Sequence, residues 1–221
     1  MGATLHFMTG GNFVLGIGAG GQEAEHLAYG YDFPAGRTRV AELDEALQII
    51  KALWTQERTT FEGRHYRVND AECEPKPDPI PNIMVGAFRP KMLRLTARHA
   101  DWWNVSSTGI QVYRTYLQEF KRACAEIGRN PASVRQVWSG GCVCGRTEAE
   151  VAELAAGRLQ KGEQMAYQAG EDFVGTPAQI IEQMQAFVEV GIDYFMLDCG
   201  GFPRLTTVEL LVTEVLPALN R

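Results

Sequence analysis

The sequence has no excess of positive charge. Its 21 lysine and arginine residues are outnumbered by 27 aspartate and glutamate residues, the net charge is −6, and the basic residues form no continuous stripe. Nucleic acids and anionic membrane surfaces attract proteins through such basic patches. The sequence therefore argues against both as partners and leaves a small-molecule substrate as the expected ligand.

Long apolar segments and a secretory leader are also missing. No stretch approaches the ~20 apolar residues that a membrane-spanning helix needs, and the opening Met1-Gly-Ala-Thr lacks the pattern of a signal peptide. The 221 residues are 45% hydrophobic, which is enough to bury the core of one α/β domain. We therefore expect one cytoplasmic domain over residues 1–221.

Cysteines are few and irregularly spaced. Their number, five, is odd, which argues against a disulfide framework and favours a reducing compartment. Cys142 and Cys144 lie on the same side of a predicted strand. Packing in the core is favoured over half of a metal site, because no second Cys or His pair with ligand spacing accompanies them. We therefore predict no metal.

The most informative stretch is residues 10–21, GGNFVLGIGAGG, followed by Gln22-Glu-Ala-Glu25. An apolar run without alternation indicates a strand buried on both faces, as in a parallel sheet. The glycines after it allow a backbone to approach a ligand without a Cβ atom in the way, and the acidic residues begin a helix. A tight strand-to-helix turn with no ligand has the same pattern, so both interpretations stay open.

Periodicity along the rest of the chain alternates between strand and helix. A hairpin is predicted at 59–68, outside the main sheet, and a proline-rich connector at 74–81. Because no main strand is joined to the next by a tight hairpin, we expect parallel pairing and an α/β fold. A doubly wound sheet and part of a (β/α)8 barrel both fit. The five predicted main strands are 13–17, 83–86, 102–106, 134–144 and 194–197, and the main helices are 43–54, 90–100, 112–127, from 147, 176–191 and 206–219. Helix caps are predicted at Thr147, at Thr176 and near Thr206, and Gly128 is predicted to end the helix at 112–127.

Functional residues are expected after the carboxyl ends of these strands, where both architectures bind ligands. Glycine or small hydroxyl residues follow most of the strands. Such loops supply backbone N–H groups and hydroxyls, which suit a phosphate-bearing cofactor. The loops concerned are Gly18-Ala-Gly-Gly21, Gly86-Ala-Phe88, Ser106-Ser-Thr-Gly109, Gly145-Arg146 and Cys199-Gly-Gly-Phe202.

Several segments together resemble the bacterial luciferase-like family of flavin- and deazaflavin-dependent oxidoreductases. Residues 9–30, TGGNFVLGIGAGGQEAEHLAYG, resemble the signature of the family's fourth strand. Other segments agree with the family in the same order. They are RVAELDEAL (39–47), Leu53-Trp54, Phe61-Glu-Gly63, Lys76-Pro77, IMVG (83–86), ARHADW (97–102) and VGTP (174–177).

The resemblance implies a cofactor, either FMN or a deazaflavin coenzyme (coenzyme F-420). Ala19 and Gly20 match positions that border the ring of the cofactor. No catalytic residue is implied, and Glu25 and His26 are weak candidates. A solvated carboxylate in the first helical turn explains Glu25 as well, and simple packing explains His26. The positions that match the family's phosphate and ribityl contacts are Gly86, Ala87, Ser106, Ser107 and Thr108. Trp103 departs from the pattern, since the family usually has glycine there.

The resemblance also implies an incomplete (β/α)8 barrel. Residues 13–17 correspond to the fourth of eight strands, so the chain would contain strands 4 to 8 and lack the first three strand–helix units. Five strands cannot close such a barrel, and an open sheet with two unprotected edges is expected. The implied function is a monooxygenase or other oxidoreductase acting on a small organic substrate, as a homo-oligomer or paired with another barrel chain. The alternative is a noncatalytic flavin-binding or assembly subunit.

Overall fold

The computed structural model of the protein describes residues 1–156, 159–160, 163–164, 167 and 170–219. The strands are β1 (Val14–Ile17), β2 (Thr59–Glu62), β3 (Arg67–Ala71), β4 (Asn82–Gly86), β5 (Trp102–Ser106), β6 (Arg135–Cys144), β7 (Leu159–Gln160), β8 (Glu163–Gln164), β9 (Phe173–Gly175) and β10 (Ile192–Cys199). The helices are α1 (Gly2–Met8), α2 (Glu23–Ala28), α3 (Gly36–Thr55), α4 (Pro90–His99), α5 (Ile110–Glu126), α6 (Glu148–Ala155), α7 (Pro177–Val188), α8 (Thr206–Leu210) and α9 (Leu216–Leu219). The α/β class predicted from the sequence is confirmed.

The chain divides into two compact units. The first contains Met1–Trp103 and Phe120–Val134, and the second contains Asn104–Glu119 and Arg135–Arg221. Strand β5 and helix α5 therefore each begin in one unit and end in the other. None of the helices in the described ranges combines the length and the apolar character that crossing a membrane requires.

The core of the first unit is a parallel sheet covered by helices. Strand β1 pairs with β4, with Val14 opposite Asn82 and Ile17 opposite Val85. The start of β5 follows β4 in the sheet. Alternate residues of these strands, such as Val85 and Trp103, are fully buried, and the Trp103 ring stacks on Phe120 of α5 at 4.6 Å between centroids. Burial of such large side chains supplies most of the stabilisation of this unit.

The predicted hairpin is confirmed as β2 and β3, which pair antiparallel. Its turn is attached to α3 by the Glu45 carboxylate, which accepts the backbone N–H groups of Arg64, His65 and Tyr66 at 2.9 Å each. Desolvation opposes ionisation of Glu45, but these hydrogen bonds outweigh it and lower the pKa of the carboxyl group. The Glu45 side chain therefore holds the hairpin turn to the helix.

The second unit contains a longer parallel sheet. Strand β6 pairs with β10 on one side, and on the other side the end of β5 and then β9 lie next to it. The five predicted main strands are all present, as β1, β4, β5, β6 and β10, and among the described residues a further strand, β9, also pairs in this sheet. The missed strand, β9, has only three residues, too few to show a periodic pattern in the sequence. It pairs with Cys142–Cys144 at the carboxyl end of β6.

The C-terminal helical segment also differs from its prediction. A single helix with a cap near Thr206 was expected, but α8 is preceded by Leu205 at the N-cap position, without a side-chain cap. A π-helical turn at Leu211–Val215 then separates α8 from α9. The hydroxyl of Thr207 bonds instead to the backbone N–H and carbonyl groups of Cys144, at 3.2 and 3.3 Å, and so attaches the helix to β6.

Helix α7 begins with the capping residues that the sequence predicted. The backbone N–H of Thr176 donates to Gln179 Oε1 at 2.8 Å, and Pro177 occupies the first turn. The hydroxyl of Thr176 donates to the same oxygen at 3.2 Å, so Thr176 and Gln179 are joined across the first turn as in a capping box. These contacts explain Thr176 as a helix cap without any ligand.

Replacing Thr176 with alanine is expected to lower the free energy of unfolding by about 1 kcal/mol, the usual cost of losing an N-cap side chain. Urea denaturation followed by circular dichroism measures this change. Thr115→Ala, on the exposed face of α5, is the control. A variant with unchanged stability but weaker coenzyme binding would show that Thr176 belongs to an anion site instead.

Candidate functional site

In the first unit, the turns after β1 and β4 lie next to each other. Parallel pairing places Ile17 opposite Val85, so that Gly18 and Gly86 follow at the same edge of the sheet. Among the residues that the structure describes, none would lie within 4 Å of a Cβ atom added at either glycine. The backbone at both strand ends is therefore open to close approach by a ligand.

Ala19 and Gly20, predicted to border the cofactor ring, form the middle of the first turn. Gly20 has a φ of +76°, which side chains other than that of glycine rarely adopt. A Cβ atom there would also lie 3.0 Å from His26 Nε2. The carbonyl oxygen of Ala19 accepts a hydrogen bond from Arg39 Nε at 3.1 Å.

The two weak catalytic candidates lie on α2, directly after this turn. His26 Nδ1 is 2.8 Å from the carbonyl oxygen of Gln22, and because a carbonyl only accepts, Nδ1 has the proton in the neutral ring. Nε2, which is then unprotonated, lies next to Gly20. Glu25 is exposed in the first turn of the helix, where a carboxylate interacts favourably with the helix dipole. Both remain predictions.

Ala87 packs in the core, in contrast to its neighbour Gly86. It is 2% exposed, and its carbonyl oxygen accepts a hydrogen bond from Trp103 Nε1 at 2.8 Å. Trp103 thus has a structural role at the position where the family usually has glycine. Gly86 is the more accessible of these two predicted cofactor contacts.

The predicted hydroxyl residues of the second unit are joined by hydrogen bonds. Ser106 Oγ lies 3.0 Å from Ser139 Oγ, which also accepts from Asn104 Nδ2 at 3.1 Å. Thr108 Oγ1 donates to the carbonyl oxygen of Ser106 at 2.6 Å. Each serine hydroxyl has one hydrogen, and only one is needed between Ser106 and Ser139, so the pair retains one donor that no residue in the described ranges accepts. Ser139 was not predicted from the sequence, because it lies 33 residues from Ser106.

Ser107 is held by a buried carboxyl group that the sequence analysis also missed. Its hydroxyl donates to Asp172 Oδ1 at 3.2 Å, and the same oxygen accepts the N–H of Gly141 at 2.8 Å. Asp172 is 6% exposed, and Ser107 has a φ of +36°. A carboxylate here disfavours a phosphate next to Ser107, because like charges repel. Ser106 and Ser139 therefore fit an anionic group better than Ser107 does.

The cysteines of β6 are packed in the core, as predicted. Cys142 and Cys144 are fully buried, and burial raises the pKa of both thiols, to about 11 for Cys144. A metal requires the deprotonated thiolate, which burial in apolar surroundings disfavours. Within the described ranges, no group of three or more His, Cys, Asp or Glu residues could hold a metal ion.

A sequence profile described as "Luciferase-like monooxygenase" matches residues 1–194. The F420-dependent glucose-6-phosphate dehydrogenase of Kineococcus radiotolerans is 36% identical over 135 residues, which are 60% of this chain and 40% of that protein. The phthiodiolone/phenolphthiodiolone dimycocerosates ketoreductase of Mycobacterium kansasii is 36% identical over 157 residues, 68% of this chain and 41% of that protein. The matches thus span well under half of these relatives.

Solved structures agree with an incomplete barrel. One match is an F420-dependent secondary alcohol dehydrogenase in complex with an F420-acetone adduct, with a TM-score of 0.81 and 20% identity. The alignment covers 99% of this chain and 73% of the dehydrogenase chain. Another is the EDTA monooxygenase from Chelativorans sp. BNC1, with a TM-score of 0.77 and 17% identity. The alignment covers 99% of this chain and 69% of the monooxygenase chain. The fold of this chain is therefore part of a luciferase-like (β/α)8 barrel.

Replacing Asp172 with alanine is expected to cost about 1–3 kcal/mol of stability, because the N–H of Gly141 and the hydroxyl of Ser107 lose a buried acceptor. Urea denaturation measures the loss. Glu171→Ala is the matched control, since Glu171 is the neighbouring acid and is exposed. Equal denaturation midpoints for the two variants would contradict the structural role of Asp172.

Proposed function

This chain belongs to the luciferase-like monooxygenase family, and on that basis we propose that it is an oxidoreductase that binds FMN or the deazaflavin coenzyme F-420. The proposed reaction is transfer of a hydride, or insertion of oxygen from dioxygen, on a small organic substrate. The main supporting observation is the open backbone at Gly18 and Gly86, at the carboxyl ends of paired parallel strands. Open sheets and barrels of this class bind ligands at that end.

When bound, the reduced ring of the coenzyme supplies the hydride or activates dioxygen. The chain would bind and orient it. We propose that Ala19 and Gly20 border the ring, that Gly86 and Ala87 contribute backbone near the phosphate and ribityl chain, and that the residues 106–108 supply polar contacts there. The free donor of the Ser106–Ser139 pair supports the last contact, since hydroxyl donors suit phosphate oxygens. Glu25 and His26 stay candidates for proton transfer next to the ring.

The names of the relatives support both versions of the chemistry. The glucose-6-phosphate dehydrogenase and the secondary alcohol dehydrogenase are F420-dependent, whereas the structurally similar enzyme from Chelativorans is an EDTA monooxygenase. A noncatalytic coenzyme-binding or assembly subunit is the second candidate, and the edges that β1 and β10 leave open in the described part of the sheet favour it. We propose a cytoplasmic location for either form, and the free thiols of all five cysteines support it.

Absorption spectroscopy of the purified chain tests the proposal. We expect it to contain, or to bind on titration, one of the two coenzymes, with the two-band spectrum of a flavin or the single band of a deazaflavin. Turnover by the loaded chain then separates the enzyme from the noncatalytic subunit. Failure of both FMN and coenzyme F-420 to bind would contradict the proposed function.

Replacing Ser106 and Ser107 together with alanine is expected to weaken FMN binding about tenfold or more, because a hydrogen bond to a charged group is worth roughly 1.5–3 kcal/mol. Fluorescence titration measures the affinity. Ser106→Ala with Ser139→Ala is the informative companion, because it removes the hydroxyl pair but keeps the contact between Ser107 and Asp172. Unchanged affinity in both double variants would remove these hydroxyls from the site.

The purified chain is expected to form a dimer or a larger species. In the described part of the sheet β1 pairs only with β4, and β10 only with β6, so each leaves one edge open, and open apolar edges recruit further strands. Light scattering after size-exclusion chromatography measures the mass. Tyr194→Lys, which adds a charge to an exposed position of β10, should increase the monomer fraction. A single monomer peak at 24.5 kDa for the unmodified chain would contradict this expectation.

A further inference from the structure

Arg39 connects helix α3 to the glycine-rich turn. Its Nε donates to the carbonyl oxygen of Ala19 at 3.1 Å, and its Nη1 donates to the carbonyl oxygen of Pro34. The guanidinium carbon also lies 3.8 Å from the centroid of the Phe33 ring. One side chain thus fixes three points on segments that carry no regular secondary structure of their own.

These contacts suit arginine and no other residue. The planar guanidinium group donates in two directions to two carbonyl groups while its face stacks on an aromatic ring. A lysine has a single nitrogen at the end of a flexible chain and cannot make all three contacts. Phe33 also packs against His26 in a T-shaped arrangement, with 4.9 Å between ring centroids. The ring on which Arg39 stacks is therefore itself held in place.

The hydrogen bond to Ala19 determines the direction of the next N–H group. The Ala19–Gly20 peptide bond is trans, so its carbonyl and N–H groups point in opposite directions. Because the carbonyl faces Arg39, the N–H of Gly20 points away from it. Within the part of the chain that the structure describes, this N–H donates no hydrogen bond. His26, lying against Gly20, restricts the peptide further.

We propose that Arg39 is a positioning residue, which holds the Ala19–Gly20 peptide so that the Gly20 N–H donates a hydrogen bond to the ring system of the coenzyme. Only the last part of this proposal, the identity of the hydrogen-bond acceptor, rests on the proposed function. The orientation of the peptide depends only on contacts within this chain. The two parts can therefore be tested separately.

The first experiment needs no coenzyme. Arg39→Met is compared with Arg37→Met, an exposed arginine two residues earlier on the same helix. The heteronuclear ¹⁵N NOE of the Gly20 amide reports its motion on the picosecond-to-nanosecond timescale. We expect it to fall in Arg39→Met and to stay unchanged in the control, while amides of α3 keep their values in both. An unchanged NOE at Gly20 would overturn the positioning role.

Phe33→Leu provides a second variant in case Arg39→Met does not fold. It removes the stacking contact but keeps both hydrogen bonds of Arg39, so we expect a smaller decrease of the Gly20 NOE. Melting temperatures show whether each variant retains its core. No decrease at Gly20 in a folded Phe33→Leu variant would show that the stack does not contribute to positioning.

The second experiment titrates FMN and coenzyme F-420 into the same proteins. For the coenzyme that binds, we expect Arg39→Met to weaken binding about tenfold and to change the absorption maximum of the bound ring, because a hydrogen bond to it is lost. Arg39→Lys should not restore either property. If neither coenzyme binds the unmodified chain, the proposed function fails, and the NOE still decides the positioning role. Binding without any shift of the Gly20 amide resonance would overturn the donor role.

Discussion

Parallel hydrogen bonding between neighbouring strands brings their carboxyl ends to one edge of a sheet, and the other features of this protein depend on that arrangement. In the first unit the register of β1 and β4 places the turns after Ile17 and Val85 next to each other. In the second unit the pairing of β6 with β10 and β9 does the same for residues after Cys144, Cys199 and Gly175. Glycine and hydroxyl residues occupy these ends, whereas the large side chains are buried beneath the helices.

Features with a local cause could be predicted from the sequence. The strands predicted at 83–86 and 102–106 are present, each with alternate residues fully buried. The expected burial of 13–17 on both faces was wrong, because every residue of β1 is at least partly exposed. Gly128 was predicted to end a helix, and its φ of +68° after α5 explains why glycine is needed there. The predicted capping residue Thr147 also accepts the N–H of Glu150, at 3.2 Å.

Features that depend on distant residues could not be predicted. Asp172 binds Ser107 across 65 residues, and Arg39 binds Ala19 across 20, so no short pattern contains either pair. Trp103 was noted only as a departure from the family, and the structure explains it by its contacts with Phe120 and the Ala87 carbonyl group. The consequences for the site are chemical. In the proposed site, a carboxyl group next to Ser107 makes Ser106 and Ser139 the better hydroxyls for an anionic group, and Arg39 holds the carbonyl group of Ala19.

The central claim is that the carboxyl ends of the parallel strands hold a flavin or deazaflavin coenzyme. Two-dimensional ¹H–¹⁵N spectra recorded during titration with FMN and with coenzyme F-420 test it most directly, because each backbone amide reports on its own surroundings. The account predicts that the largest shifts occur at Gly18–Gly21, Gly86 and the residues 106–108. Shifts confined to amino ends of the strands, such as Val14 and Asn82, would contradict it.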